Sequence, residues 1–362
     1  MIIDVHCHYT LSREPKRAAP RFSFEPVGQS GGAGASPLPT DFDSCVSPRA
    51  LGRLSWRLAR YFTGLPREAC ELDAELRRRY AEHLFAPGPI DRFVLLAFDA
   101  VHDDEGRCRP LAQRRGDFGS DLYSSNSFIR SICAAYPRRF LFGASVHPYR
   151  VDALAALDDV AAAGACLVKW IPLHHYIDIA DARSTEFLRR CAALGMPVLV
   201  HYGEEFSLTT HRPDFQAVGP MLEVLRKLRV EGAMPTVIVA HVATPVRPLA
   251  GRAEHEKLVA ALTGEFADAP LLADISALSA WTKAGCLRRV LARRELHHKL
   301  LFGSDFPIPV LLQRVRGLLG RDYGRIAAIF SWPQRSLVAF RRMGFEDIVF
   351  QRAGELVRAA PK

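Results

Sequence analysis

One unit recurs along this chain: a short, continuously apolar run, then a stretch whose apolar residues keep helical spacing. The runs fall at 2–6, 92–98, 140–146, 166–171, 197–201, 236–241, 271–275 and 299–303. The helix-like stretches fall at 124–136, 152–163, 184–194, 220–229, 254–266, 283–293 and 309–319. Runs that are apolar throughout, rather than alternating, belong to parallel strands covered on both faces. Eight such units predict an α/β chain closed into a (β/α)8 or TIM barrel. An open, doubly wound sheet is the competing architecture, but no GxGxxG follows the first run. The tail from about 321 reads as further helices packed on the barrel.

A long interruption separates the first unit from the second. Residues 26–37, rich in Gly, Ser and Pro, have the composition of a mobile loop. After them Leu51, Leu54, Leu58, Tyr61 and Leu65 keep helical spacing, and so do Leu72, Leu76, Tyr80 and Leu84. Region 9–89 therefore reads as a helical cap inserted after the first strand of a single domain, 1–362, with its helices over the barrel mouth.

Composition excludes several other classes. The chain is 49% hydrophobic and 24% charged, as soluble enzymes are. It holds no apolar run of about 18 residues to span a membrane and no secretory leader pattern at its start. The formal charge of +9 raises the question of nucleic acid, but the arginines are scattered and no aromatics alternate with them. A solvated basic surface is the reading taken, with no nucleic-acid partner and a small-molecule substrate, for which the charge favours an anion. The eight cysteines are irregularly spaced, with no CxxC, as in a reduced, cytoplasmic protein.

Active sites of such barrels sit at the carboxyl ends of the strands. The first run ends in His6-Cys7-His8, and the fourth contains Lys169. The fifth ends in His201, the sixth in His241, and the eighth leads into Asp305. Side chains two apart on a strand share a face, so both imidazoles of His6 and His8 can reach one ion. Any one of these residues alone is satisfied by a core hydrogen bond or a helix cap. Delivered together by five strands to one end of one barrel, they are a divalent-metal site. Histidine nitrogens with a carboxylate suit zinc, and also manganese, iron or cobalt. An ion with an open position would ionise water near neutral pH.

These residues resemble the amidohydrolase superfamily, in the branch that contains aminocarboxymuconate-semialdehyde decarboxylase and related hydrolases. The likeness runs through Asp4-Val-His-Cys-His8, Ser145-Val-His-Pro-Tyr149, Val168-Lys-Trp-Ile-Pro172, Val200-His-Tyr-Gly-Glu-Glu205, Ala240-His241 and Gly303-Ser-Asp-Phe-Pro307. It does not extend to the insertion. The resemblance implies that His6, His8 and His201 are metal ligands. It implies that Asp305 both binds metal and accepts a proton from water. His241 is implied to be a second-metal ligand or, in a one-metal site, a catalytic base beside the ion. Lys169 is implied either to bridge two ions as a carbamate or to stay an amine beside one. The activity implied first is hydrolysis of an ester, lactone or amide-type bond. Non-oxidative decarboxylation comes second, and a non-catalytic barrel third. Barrels of this branch often form homodimers.

Other candidates are looser. Arg150, Arg247 and Trp281 occupy carboxyl-end loops, where an arginine could pair with a substrate carboxylate or simply face water. His174, after the fourth run, could touch substrate or be structural, and the same holds for His147 and His175. Glu204 and Glu205 could orient a ligand from behind. Cys7 lies between two ligand positions and is expected to pack as a thiol.

Overall fold

A computed structural model describes residues 1–17, 37–66, 68–246 and 252–359. The segment expected to be mobile, apart from Pro37, and the loop arginine Arg247 lie outside the described residues. The apolar runs form eight parallel strands paired in chain order: Ile3–His8, Arg92–Leu96, Phe140–Ala144, Leu167–Trp170, Val198–Val200, Val237–Val239, Leu271–Asp274 and Leu300–Leu301. The last meets the first. Val5 N–H donates to Phe302 O at 3.2 Å, Asp305 N–H to His6 O at 2.8 Å and His8 N–H to Phe306 O at 2.8 Å. Asp4 reinforces this seam, its Oδ1 accepting from Ser304 N–H at 2.9 Å. The sheet is thereby closed, and a closed sheet has no edge to protect.

Val5, Val94, Leu96, Leu199, Ile238, Leu272 and Leu301 pack together inside the barrel, and Ala353 joins them from the C-terminal helix Asp347–Ala359. Each such side chain, fully withdrawn from water, contributes about 2 kcal/mol. A second layer, including Phe93, Leu95, Trp170 and Phe302, packs outward on the surrounding helices. Six of those helices lie where the spacing predicts them: Asn126–Ala135, Ala153–Ala162, Ala182–Ala193, Val218–Val230, Arg252–Thr263 and Ala284–Ala292.

Two expectations need correction. The helix over 309–319 shrinks to a 3-10 turn, Gln313–Val315, and one helical turn, Arg316–Leu319. Pro307 and Pro309 withhold backbone donors there. The helices Trp332–Met343 and Asp347–Ala359 cover the eighth strand instead, through contacts of Phe302 with Phe340 and Phe350. The insertion is also not purely helical. Its short strands Arg13–Pro15 and Phe42–Val46 form an antiparallel sheet with Leu122–Ser124. The helices Pro48–Gly52, Leu54–Thr63 and Ala69–Leu84 follow. Tyr80 ties the last of these to the barrel, donating its hydroxyl to Thr10 O at 2.9 Å and accepting Thr10 N–H at 3.1 Å. Asp121 ties the small sheet to a barrel loop, accepting from Ser47 Oγ, Arg49 Nε and Thr209 N–H at 2.9, 2.7 and 2.7 Å.

Among the described residues no helix is long and apolar enough to cross a membrane. The described cysteine side chains, Cys7 among them, are free thiols.

Candidate metal centre and its cavity

Strict alternation along the first strand would send His6 and His8 out of the barrel, because Ile3 and Val5 point into it. The register shifts between Asp4 and Cys7, where the partners step only from Phe93 to Leu95. That extra residue is a bulge, and it turns the histidine pair inward while Cys7 packs in the outer layer. The eighth strand must come close for Asp305 to reach them. A Cβ on Gly303 would lie 2.8 Å from that of His6 and 3.1 Å from that of Ser276, so only glycine fits.

The resulting group is tight. His8 Nε2 lies 3.1 Å from Asp305 Oδ1, and His6 Nε2 lies 3.4 Å from the same oxygen. One donor atom from each of these three residues falls within 4.8 Å of the others. The back of His6 is held by Asp274, which ends the seventh strand: His6 Nδ1 and Asp274 Oδ2 are 2.8 Å apart. His6 therefore gives its proton to Asp274 and aims the Nε2 lone pair at Asp305. His241 is built the same way. Its Nδ1 faces Ser276 O at 3.0 Å, and its Nε2 lies 3.7 Å from Asp305 Oδ2. A left-handed turn through His241, Val242 and Ala243, with φ of 54°, 52° and 48°, gives the ring this aim. Asp274 Oδ1 secures the turn by accepting His241 N–H at 2.9 Å.

Lys169, on the fourth strand, places Nζ 3.3 Å from His6 Nε2. Burial pulls its amine down to about 8, against the opposing charges of Asp274 and Asp305. Burial also drives His6, His201 and His241 below the usual imidazole range. Burial alone would raise the Asp305 carboxyl, but the neighbouring His6, the His8 hydrogen bond and Lys169 hold it at about 2. His201 stands slightly apart. It belongs to neither tight group, its ring is 5.2 Å from that of His241, and its buried Nε2 has no hydrogen-bond partner, with Glu205 Oε2 at 3.5 Å.

The residues fit a divalent cation. The His6 lone pair and an ionised Asp305 oxygen face each other without a proton between them. His201 Nε2 is a buried orphan beside them. Two neutral imidazoles and a carboxylate are a zinc-type donor set, and Asp274 and Ser276 orient it from behind.

A cavity of about 390 Å³ opens over this group. His6, His8, Lys169, His201, His241 and Asp305 form its polar end. Cap residues Trp56, Leu72, Leu76 and Tyr80 line it, with Phe306, Ile308 and Trp332. Arg150 and His174 do not line it. Arg150 is buried against Asp99 at 3.3 Å and Asp152 at 2.8 Å. His174 has both ring nitrogens engaged, with Thr209 O at 2.8 Å and Asp121 N–H at 3.4 Å. Neither is placed to meet a substrate there. Trp281 opens a short turn, Trp281–Lys283, and its side chain lies outside the described residues. Sequence reasoning missed Asp274 and Ser276. It also missed the buried Lys283, whose amine burial lowers in spite of Asp305 and Glu205 nearby.

A family model described as Amidohydrolase matches residues 3–322. No curated protein matches the chain significantly. An uncharacterized TIM-barrel protein of Bordetella bronchiseptica is similar in structure, with a TM-score of 0.53, 17% identity and coverage of 100% of this chain and 99% of that one. A probable 2-pyrone-4,6-dicarboxylic acid hydrolase of Acinetobacter baumannii has a TM-score of 0.51 at 14% identity, covering 99% of both chains. An amidohydrolase of Burkholderia multivorans with bound zinc has a TM-score of 0.50 at 13% identity, covering 100% of both chains.

Proposed function

The chain belongs to the amidohydrolase family, and from that premise we propose that it is a metal-dependent hydrolase of an ester, lactone or amide-type bond in a small molecule. The observation that carries this reading is the convergence of His6 Nε2, His8 Nε2 and Asp305 Oδ1 at the polar end of the cavity. Those residues would hold one divalent ion, zinc first, with His201 beside them. A bound ion would supply Lewis acidity enough to make water a nucleophile near neutral pH.

The chain's own groups do the rest. Asp274 fixes the His6 tautomer. Asp305 Oδ2 and His241 Nε2, 3.7 Å apart, form a pair of acceptors for the proton that water gives up. Lys169 remains an amine whose charge offsets Asp305. The apolar walls exclude bulk water from the reacting bond. A decarboxylase built on the same residues is the second reading. It is favoured by the buried Lys169 at the polar end of the cavity, which would suit a substrate carboxylate.

The test is a panel of lactones, esters, amides and carboxylated arenes offered to the zinc-loaded chain, with acid release and CO2 followed together. Acid without CO2 is the expected result. CO2 from a carboxylated arene would make the chain a lyase.

A further inference from the structure

The cap side of the cavity carries a polar atom that the protein leaves unused. His83, near the end of the helix Ala69–Leu84, is 3% exposed and lines the cavity. Its Nδ1 accepts the backbone N–H of Trp332 at 3.2 Å, so the neutral ring carries its proton on Nε2. Among the described residues nothing accepts from that Nε2–H, and the atom is not sealed in the packing. The ring cannot turn to hide it. It stacks on Phe330 at 4.7 Å and 8°, and tilts against Trp332 at 4.9 Å and Phe306 at 5.1 Å. Burial among these rings, helped by Arg79 and Arg335, lowers the imidazole to about 4, so it is neutral at neutral pH.

The cavity's other walls are largely apolar, and its two arginines are engaged. Arg79 binds Glu75 at 2.6 Å and Thr63 O at 2.5 Å, and Arg60 binds Pro66 O at 2.6 Å. A fixed, buried donor in an apolar wall costs little when it is met by an acceptor and a good deal when it faces a hydrocarbon. We propose that His83 is a specificity-determining residue. The cavity takes a substrate with an apolar body that bears, apart from the reacting bond, an uncharged acceptor, such as a carbonyl or ether oxygen, received by His83 Nε2–H. This rests on the cavity being the substrate site of the proposed enzyme, and it names the class of molecule that site selects.

The experiment is calorimetric binding to the zinc-loaded full chain of two nearly isosteric pairs: para-acetylbenzoate against para-isopropylbenzoate, and the corresponding biphenyl carboxylates. In at least one pair the acetyl member should bind about fivefold tighter or better. His83→Phe should bring that ratio to about one while leaving the isopropyl affinity within about twofold, because the ring is kept and the isopropyl group makes no hydrogen bond to lose. His83→Gln, which keeps an N–H donor, should retain part of the preference, and His83→Leu replaces the phenylalanine variant if that one fails to fold. Equal affinities within both pairs, no binding of any member, or a preference that survives His83→Phe would overturn the proposal. Repeating the wild-type titration after chelation separates the two claims. A ratio that persists without zinc supports His83 even if the metal assignment fails.

Discussion

Asp305 and Asp274 carry opposite halves of the centre. Asp305 faces the cavity, where the proposed function makes it ligand and proton acceptor, while Asp274 faces the protein and sets the aim of His6 and His241. Asp305→Asn should leave the fold intact and lower kcat about a thousandfold on the best substrate found, since an amide is a poor base. An unchanged kcat would remove Asp305 from the chemistry. Asp274→Ala should instead weaken zinc binding about 10- to 100-fold in a chelator competition, through a misdirected His6. The histidines, Lys169 and Asp305 were legible because each stands at a strand end. Asp274 left a fainter mark, a carboxylate inside the apolar run 271–275. His83 left none, because its partner Trp332 is far away in sequence. Arg150 and His174 looked like rim residues, yet their ion pairs and hydrogen bonds bury them as supports.

Elements decide which of these residues meet. Sequence spacing places His6 and His8 on one face but not on which face, and the bulge between Asp4 and Cys7 settles that. The small antiparallel sheet was illegible because two of its three strands have three residues and its pairing joins 42–46 to 122–124. A period of two needs more than three residues to show. Its anchor, Asp121, is a buried carboxylate that His174, Arg49 and Thr209 hold at about 2 despite burial. A carboxylate lowered on folding adds stability that is complete above the unfolded range near 4 and disappears as pH falls toward 2. Asp121→Asn should cost about 3 kcal/mol at neutral pH in denaturant melts, with the gap from wild type narrowing by about 2 kcal/mol between pH 5 and 2. A gap independent of pH would mean that the carboxylate is not the anchor. Gly303→Ala should weaken zinc binding as well as lower Tm, because the added Cβ presses on His6. A fall in Tm with zinc affinity unchanged would place the strain elsewhere.

At the scale of the whole molecule, the rhythm of eight apolar runs was enough to read the barrel, since each run is buried on both faces. The carboxyl ends of its strands then bring five separate segments to the polar end of one cavity, beneath a cap that is largely apolar on its cavity face. An ion that binds this group and not the unfolded chain stabilises the fold by mass action. Chelation should therefore lower Tm and added zinc restore it. The most direct measurement is a calorimetric titration of zinc into the chelator-stripped full chain, run beside a His6→Ala, His8→Ala double variant shown by circular dichroism to be folded. The account predicts one equivalent bound by the wild type and none by the variant; no binding to the wild type, or the same binding to both, would contradict it.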